Sequence, residues 1–110
     1  PGHDWAVIKL GRSGTIKKIE VDTKHFKGNH PDECSIEICF IPIGSSVESL
    51  TSPLAKWDVL LPKTKLQPDT RHVFDKELKD IGECTHVRLN IFPDGGVSRL
   101  RVWGTLRATH

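Results

Sequence analysis

The sequence predicts an all-β fold, an antiparallel β-sandwich, and three observations carry that prediction. Short runs alternate apolar and polar residues at period two, as a strand with one buried face requires. Turn-forming residues separate the runs, as in GRSG at 11–14 and PDGG at 93–96. No long segment keeps the 3.6-residue apolar period of an amphipathic helix. Several short strands joined by turns bury their apolar faces by closing into a sandwich or barrel.

The elements follow in order. Trp5 to Leu10 reads WAVIKL, a short apolar strand. Thr15 to Thr23 reads TIKKIEVDT and sets Ile19, Val21 and Thr23 on one face, with Lys18, Glu20 and Asp22 on the other. GRSG joins these two strands as a turn. Ser35 to Ile41 alternates Ile36, Ile38 and Phe40 against Glu37, Cys39 and Ile41, and Pro42 limits it. Residues 42–56, rich in Ser, Pro and Gly, predict a surface loop in which Val47 and Leu50 could pin one helical turn. Trp57 to Leu61 resumes the strand pattern, and PKTKLQPD after it is irregular. Phe74, Leu78 and Ile81 fall at i, i+4 and i+7, which predicts two helical turns stopped by Gly82, while RHVF before them favours extended structure. The last unit, THVRLNIFPDGGVSRLR, predicts a hairpin of two strands about PDGG, with Gly95 and Gly96 available for positive φ.

Composition narrows the function classes. A chain of 110 residues with 36% hydrophobic and 27% charged residues predicts one folded domain, residues 1–110. The net charge of +2, without a basic block, argues against a nucleic-acid partner. No run approaches a bilayer span and no secretory signal opens the chain, which predicts a soluble protein without a membrane partner. Cys34, Cys39 and Cys84 are odd in number and lack CxxC spacing. That argues against a disulfide framework and a zinc site, and favours a reducing, cytoplasmic setting with no metal or other cofactor. The chain starts at Pro1 without Met and enters an apolar run at once, which predicts a repeat or fragment of a longer protein.

Two constellations could carry chemistry. In the last hairpin Val87, Leu89 and Ile91 alternate with His86, Arg88 and Asn90, while Leu100 and Val102 alternate with Arg99 and Arg101. Paired strands would then share a face of His, Asn and three Arg, and guanidinium groups bind small carboxylates through paired hydrogen bonds. The competing reading is a surface face whose arginines pair with acids of a neighbouring strand or subunit. The second constellation, VDTKHFKGNHPDE at 21–33, crowds Asp22, His25 and Asn29 into one loop. Asp22 and His25 could form an acid/base pair if the loop joins them. Its competing reading is a turn built by Asx hydrogen bonds with exposed histidines. No generic catalytic motif is present.

The segments GHDWAVIKLG, IEVDTKHFKGNHPDEC, WDVLLP and THVRLNIFPDGGVSRLRVWG, in this order across nearly the whole chain, resemble the allantoicase family. The resemblance implies a galactose-binding-domain-like jelly roll and the second, carboxyl-terminal repeat of a two-repeat chain. It also implies hydrolysis of allantoate to ureidoglycolate and urea in allantoin degradation. For that reaction, chemistry and position rather than the family's own assignments make Asp22 and His25 the expected acid/base residues, and Asn29, Arg88, Asn90, Arg99 and Arg101 the expected substrate contacts. The partners it implies are a second repeat and, in a homo-oligomer, further copies. The alternative is a non-catalytic jelly-roll module that binds a carbohydrate or other small ligand, or a repeat that serves assembly alone.

Overall fold

In the computed structural model the described residues are 4–42, 56–93 and 95–106. They form six strands: β1 (Asp4–Asp22), β2 (Glu33–Cys39), β3 (Asp58–Lys65), β4 (Arg71–Phe74), β5 (Cys84–Phe92) and β6 (Arg99–Leu106). All pairings are antiparallel, and no helix occurs among the described residues. The antiparallel jelly-roll β-sandwich that the sequence predicts is the fold observed.

β1 organises the sandwich because it belongs to both halves. Residues 4–9 pair with β5, completing the row β3-β2-β5-β1. After a break in register between Lys9 and Gly14, residues 14–22 pair with β6, and residues 19–22 also pair with β4. The GRSG segment is thus a bend inside one long strand rather than a turn between two. β1 runs down one half from Asp4, opposite Ile91, and returns up the other half to Asp22, opposite Arg99. Both ends of β1 therefore lie at the end of the sandwich where residues 23–32 and 93–98 connect the strands.

The core forms where the two inner faces meet. Ile36, Val87 and Leu89 from one half pack in a single cluster with Ile19, Val21 and Phe74 from the other, and Ile91, Leu100 and Val102 are partly buried against it. The alternation read in the last unit is thereby observed, with Arg99 and Arg101 exposed on the opposite face. Phe40, expected inward with Ile36 and Ile38, lies beyond the end of β2 and is 48% exposed. Cys34, Cys39 and Cys84 are free and buried; burial pushes the Cys34 thiol up to about 12 and the Cys84 thiol up to about 11.

Four other expectations are corrected. β5 and β6 do not pair, because β1 and β2 already occupy both edges of β5. The connection instead arches from one half of the sandwich to the other. Its backbone donors go to other segments, Gly96 N to Asn29 O at 2.7 Å and Ser98 N to Asp22 O at 2.8 Å. Of Gly95 and Gly96, the second does not adopt positive φ. Their missing side chains matter for close approach, since a Cβ at Gly95 would stand 2.7 Å from Pro31 N and one at Gly96 would enter the Phe26 ring. The helical turns expected over 74–82 are absent: Phe74 ends β4 opposite Ile19, and Lys79 N donates to Leu60 O at 2.9 Å, tying the segment to β3. Finally, the strand begun at WDVLL continues through Lys65. The helical turn proposed around Val47 and Leu50 lies outside the described residues.

Candidate functional site

The strand register builds a polar ladder on the outer face of the β3-β2-β5-β1 half. Residues opposite one another in paired strands share a face. Trp5, Asn90 and Ser35 therefore form one row, Val7, Arg88, Glu37 and Val59 the next, and Lys9, His86 and Cys39 a third. A cleft of about 620 Å³ lies over the first two rows, within the range of small-ligand sites. Trp5, Phe92 and Val59 supply apolar wall; Ser35, Glu37, Arg88 and Asn90 line the floor; Lys63 and Lys79 add two ammonium groups.

Glu37 is the centre of this floor. Arg88 Nε and Nη2 donate to its Oε1 at 3.1 and 2.9 Å, and Asn90 Nδ2 donates to the same oxygen at 2.8 Å. Asn90 Nδ2 also lies 3.3 Å from Ser35 Oγ, so its amide is satisfied although the residue is only 5% exposed. The Arg88 guanidinium sits 4.2 Å from the Trp57 ring centre, a cation–π contact that restrains its plane. Lys63 Nζ lies 4.2 Å from the Phe92 ring centre. Three cations against one carboxylate leave the cleft with a surplus of positive charge that favours an anionic ligand.

The structure separates the residues that the sequence grouped. Arg88 and Asn90 line the cleft. Arg99 and Arg101 project from the outer face of the other half, where Arg101 Nε lies 3.6 Å from Glu20 Oε2 and Arg71 Nε lies 3.1 Å from Glu20 Oε1. Arg88 and Arg101 thus each pair with an acid of a neighbouring strand, as the competing reading held. Arg99 stands opposite Asp22 in the β6–β1 register and is exposed.

Asp22 and His25 do not bond to one another. Asp22 Oδ1 accepts from Lys24 N at 2.8 Å, an Asx turn at the end of β1. His25 has φ +73°, and its backbone N donates to Asp69 Oδ1 at 2.8 Å, which holds the Asp69 carboxyl below its usual range. Asn29 is exposed and contributes its backbone oxygen to Gly96. The loop does reach the cleft's end of the sandwich, because Asp32 N donates to the backbone oxygen of Phe92 at 3.0 Å.

Sequence reasoning missed Glu37, Trp5, Lys63 and Lys79 as parts of one site. Glu37 carried a usable signal, since it lies on the polar parity of β2, but its pairing with Arg88 depends on a register spanning 51 residues of chain. His86, in the third row, is 7% exposed. Burial, and then the charge of Lys9, push its imidazole below the usual value of 6.5.

The allantoicase repeat family model matches residues 1–107. A probable allantoicase of Burkholderia mallei is 56% identical over 106 residues, covering 96% of this chain and 31% of that protein. A probable allantoicase of Pseudomonas fluorescens is 52% identical over 104 residues, covering 94% of this chain and 31% of its own length. The crystal structure of allantoicase from Saccharomyces cerevisiae superposes with a TM-score of 0.73 at 43% identity, covering 94% of this chain and 28% of that one. The chain therefore spans about a third of the length of the relatives it matches. With 107 of 110 residues inside the family model and relatives more than half identical across them, this chain belongs to the allantoicase repeat family.

Proposed function

We propose that this chain is the second repeat of a two-repeat allantoicase, which hydrolyses allantoate to ureidoglycolate and urea, and that the cleft over β2 and β5 takes the substrate. The observation that carries the reading is the cleft's charge: Arg88, Lys63 and Lys79 stand against the single carboxylate of Glu37. Allantoate is a small carboxylate with two ureido arms. Its carboxylate suits the part of the Arg88 guanidinium left over from Glu37, since Nε and one Nη2 hydrogen are used and the Nη1 side remains. The buried Asn90 amide fixes the floor beside it.

In this reading the parent protein is a cytoplasmic homo-oligomer. Among the described residues no helix is long and apolar enough to cross a membrane. Asp22 and His25 share the loop end of the sandwich with the cleft, but Asp22 belongs to the outer face of the other half. Their acid/base work would therefore require a neighbouring repeat or subunit to present its substrate to them. Arg99 and Arg101 would act on substrate only by the same route.

The carbohydrate-binding alternative has less support: Arg88 covers one face of Trp57 and Lys18 covers one face of Trp103 at 4.5 Å, so of the three Trp that could stack on a sugar only Trp5 lines the cleft. Urea release from allantoate by the full-length parent protein tests the proposal. Sustained release supports it; no release from a folded protein overturns it.

A further inference from the structure

We propose that Glu37 is itself a ligand-contacting residue, accepting N–H groups from the ureido end of a bound carboxylate through Oε2, so that the cleft reads both ends of a small ureido acid. This rests on the reading of the cleft as the substrate site and deepens it.

The unequal use of the two Glu37 oxygens carries the inference. An Arg and a carboxylate that pair only with each other often meet fork to fork, two donors on two oxygens. Here Arg88 Nε, Arg88 Nη2 and Asn90 Nδ2 all converge on Oε1, at 3.1, 2.9 and 2.8 Å. No donor from the described residues reaches Oε2. Oε1 is crowded with donors, while Oε2 keeps its accepting capacity on a residue that lines the cleft.

Arg88 is complementary. Its Nη1 side can still donate to a carboxylate, and the stack on Trp57 restrains the guanidinium plane. A cationic edge and an anionic oxygen therefore stand side by side. A simple carboxylate can use only the first. A ureido acid can use both, because a urea group carries N–H donors that a carboxylate oxygen accepts. The arrangement also sets direction, since repulsion from Oε2 turns a ligand carboxylate toward Arg88, Lys63 and Lys79.

The test measures binding of two probes to the full-length parent protein by calorimetry. N-carbamoylglycine has a carboxylate and a terminal urea NH2; its N′,N′-dimethyl analogue keeps the carboxylate and loses those two hydrogens. The wild-type protein is expected to bind the first about tenfold or more tightly than the second, the size of one hydrogen bond to a charged group. In Glu37→Gln, Arg88 and Asn90 draw the amide oxygen, so an NH2 group replaces Oε2 and the ratio should fall near one. Arg88→Ala should weaken both probes and preserve the preference for the first. Equal wild-type affinities, no binding of either probe, or an unchanged ratio in folded Glu37→Gln would overturn the inference. If Glu37→Gln does not fold, the two wild-type affinities decide. Preserved probe discrimination in a protein that releases no urea from allantoate would support this subsite and remove the catalytic reading; urea release with a ratio of one would do the reverse.

Discussion

Arg88 and Glu37 face one another across the β5–β2 pair, and both bonds from the guanidinium, at 3.1 and 2.9 Å, end on one carboxylate oxygen. On the other half of the sandwich Arg101 and Glu20 are likewise opposite in register, 3.6 Å apart at Nε and Oε2. The first pair borders a cleft. The second buries its acid, with Glu20 2% exposed, beneath two arginines that remain in solvent.

The Glu20 cluster should respond unequally to loss of its acid and loss of its cations. Replacing both Arg71 and Arg101 with Ala leaves a buried carboxylate unpaired and should cost about 3 kcal/mol or more. Glu20→Gln should cost less, since it removes the buried charge and leaves two exposed arginines to water. Denaturant unfolding of the three proteins measures the difference, and equal losses would contradict it.

Gly104→Ala should destabilise more than Gly96→Ala. A Cβ at 104 would enter the Thr15 carbonyl, which is held in the β1–β6 ladder, so two strands must separate. A Cβ at 96 would meet the Phe26 ring, a side chain that can turn away. We expect a cost of about 2 kcal/mol or more for the first, in the range of backbone and overpacking strain. Thermal melts that rank Gly96→Ala as the more damaging change would refute this.

His86 should make stability depend on pH. Its folded-state value lies below the unfolded 6.5, chiefly through burial and then through Lys9 across the strand pair, so the unfolded chain binds the proton more readily. The contribution is full above pH 6.5 and is lost as pH falls from there through the folded value. Lys9, Thr85 and Cys39 flank the ring, and Thr85 Oγ1 lies 2.8 Å from Nδ1. Unfolding midpoints at pH 8 and pH 5 should differ less in His86→Gln than in wild type. An unchanged difference would assign the pH dependence to other groups.

Much of the fold was legible because strand periodicity is local. Val87 and Leu89 point inward and Arg88 and Asn90 outward for reasons contained in nine residues of β5. Partner choice was not legible. PDGG has the composition of a hairpin turn, yet β5 is enclosed by residues 4–9 and 33–39, and nothing within 85–101 encodes that competition. The arginine face therefore divided between the two outer surfaces. The cleft was half legible: Arg88 and Asn90 could be named from one strand, whereas Lys63 and Lys79 come from β3 and the segment after β4. Buried Glu20 was hidden because its polar parity predicts solvent, and its ion-pair partners, Arg71 and Arg101, come from β4 and β6.

The most direct test compares two variants of the full-length parent protein in urea release from allantoate. Arg88→Ala removes the guanidinium beside the cleft, whereas the double replacement of Arg99 and Arg101 with Ala alters the opposite outer face. Arg88→Ala should lower kcat/KM about tenfold to a hundredfold, as loss of a charged hydrogen bond to substrate implies, while the double variant, if folded, should stay within a few-fold of wild type. Full activity in folded Arg88→Ala, with activity lost in the folded double variant, would contradict the assignment of substrate to the β2–β5 cleft.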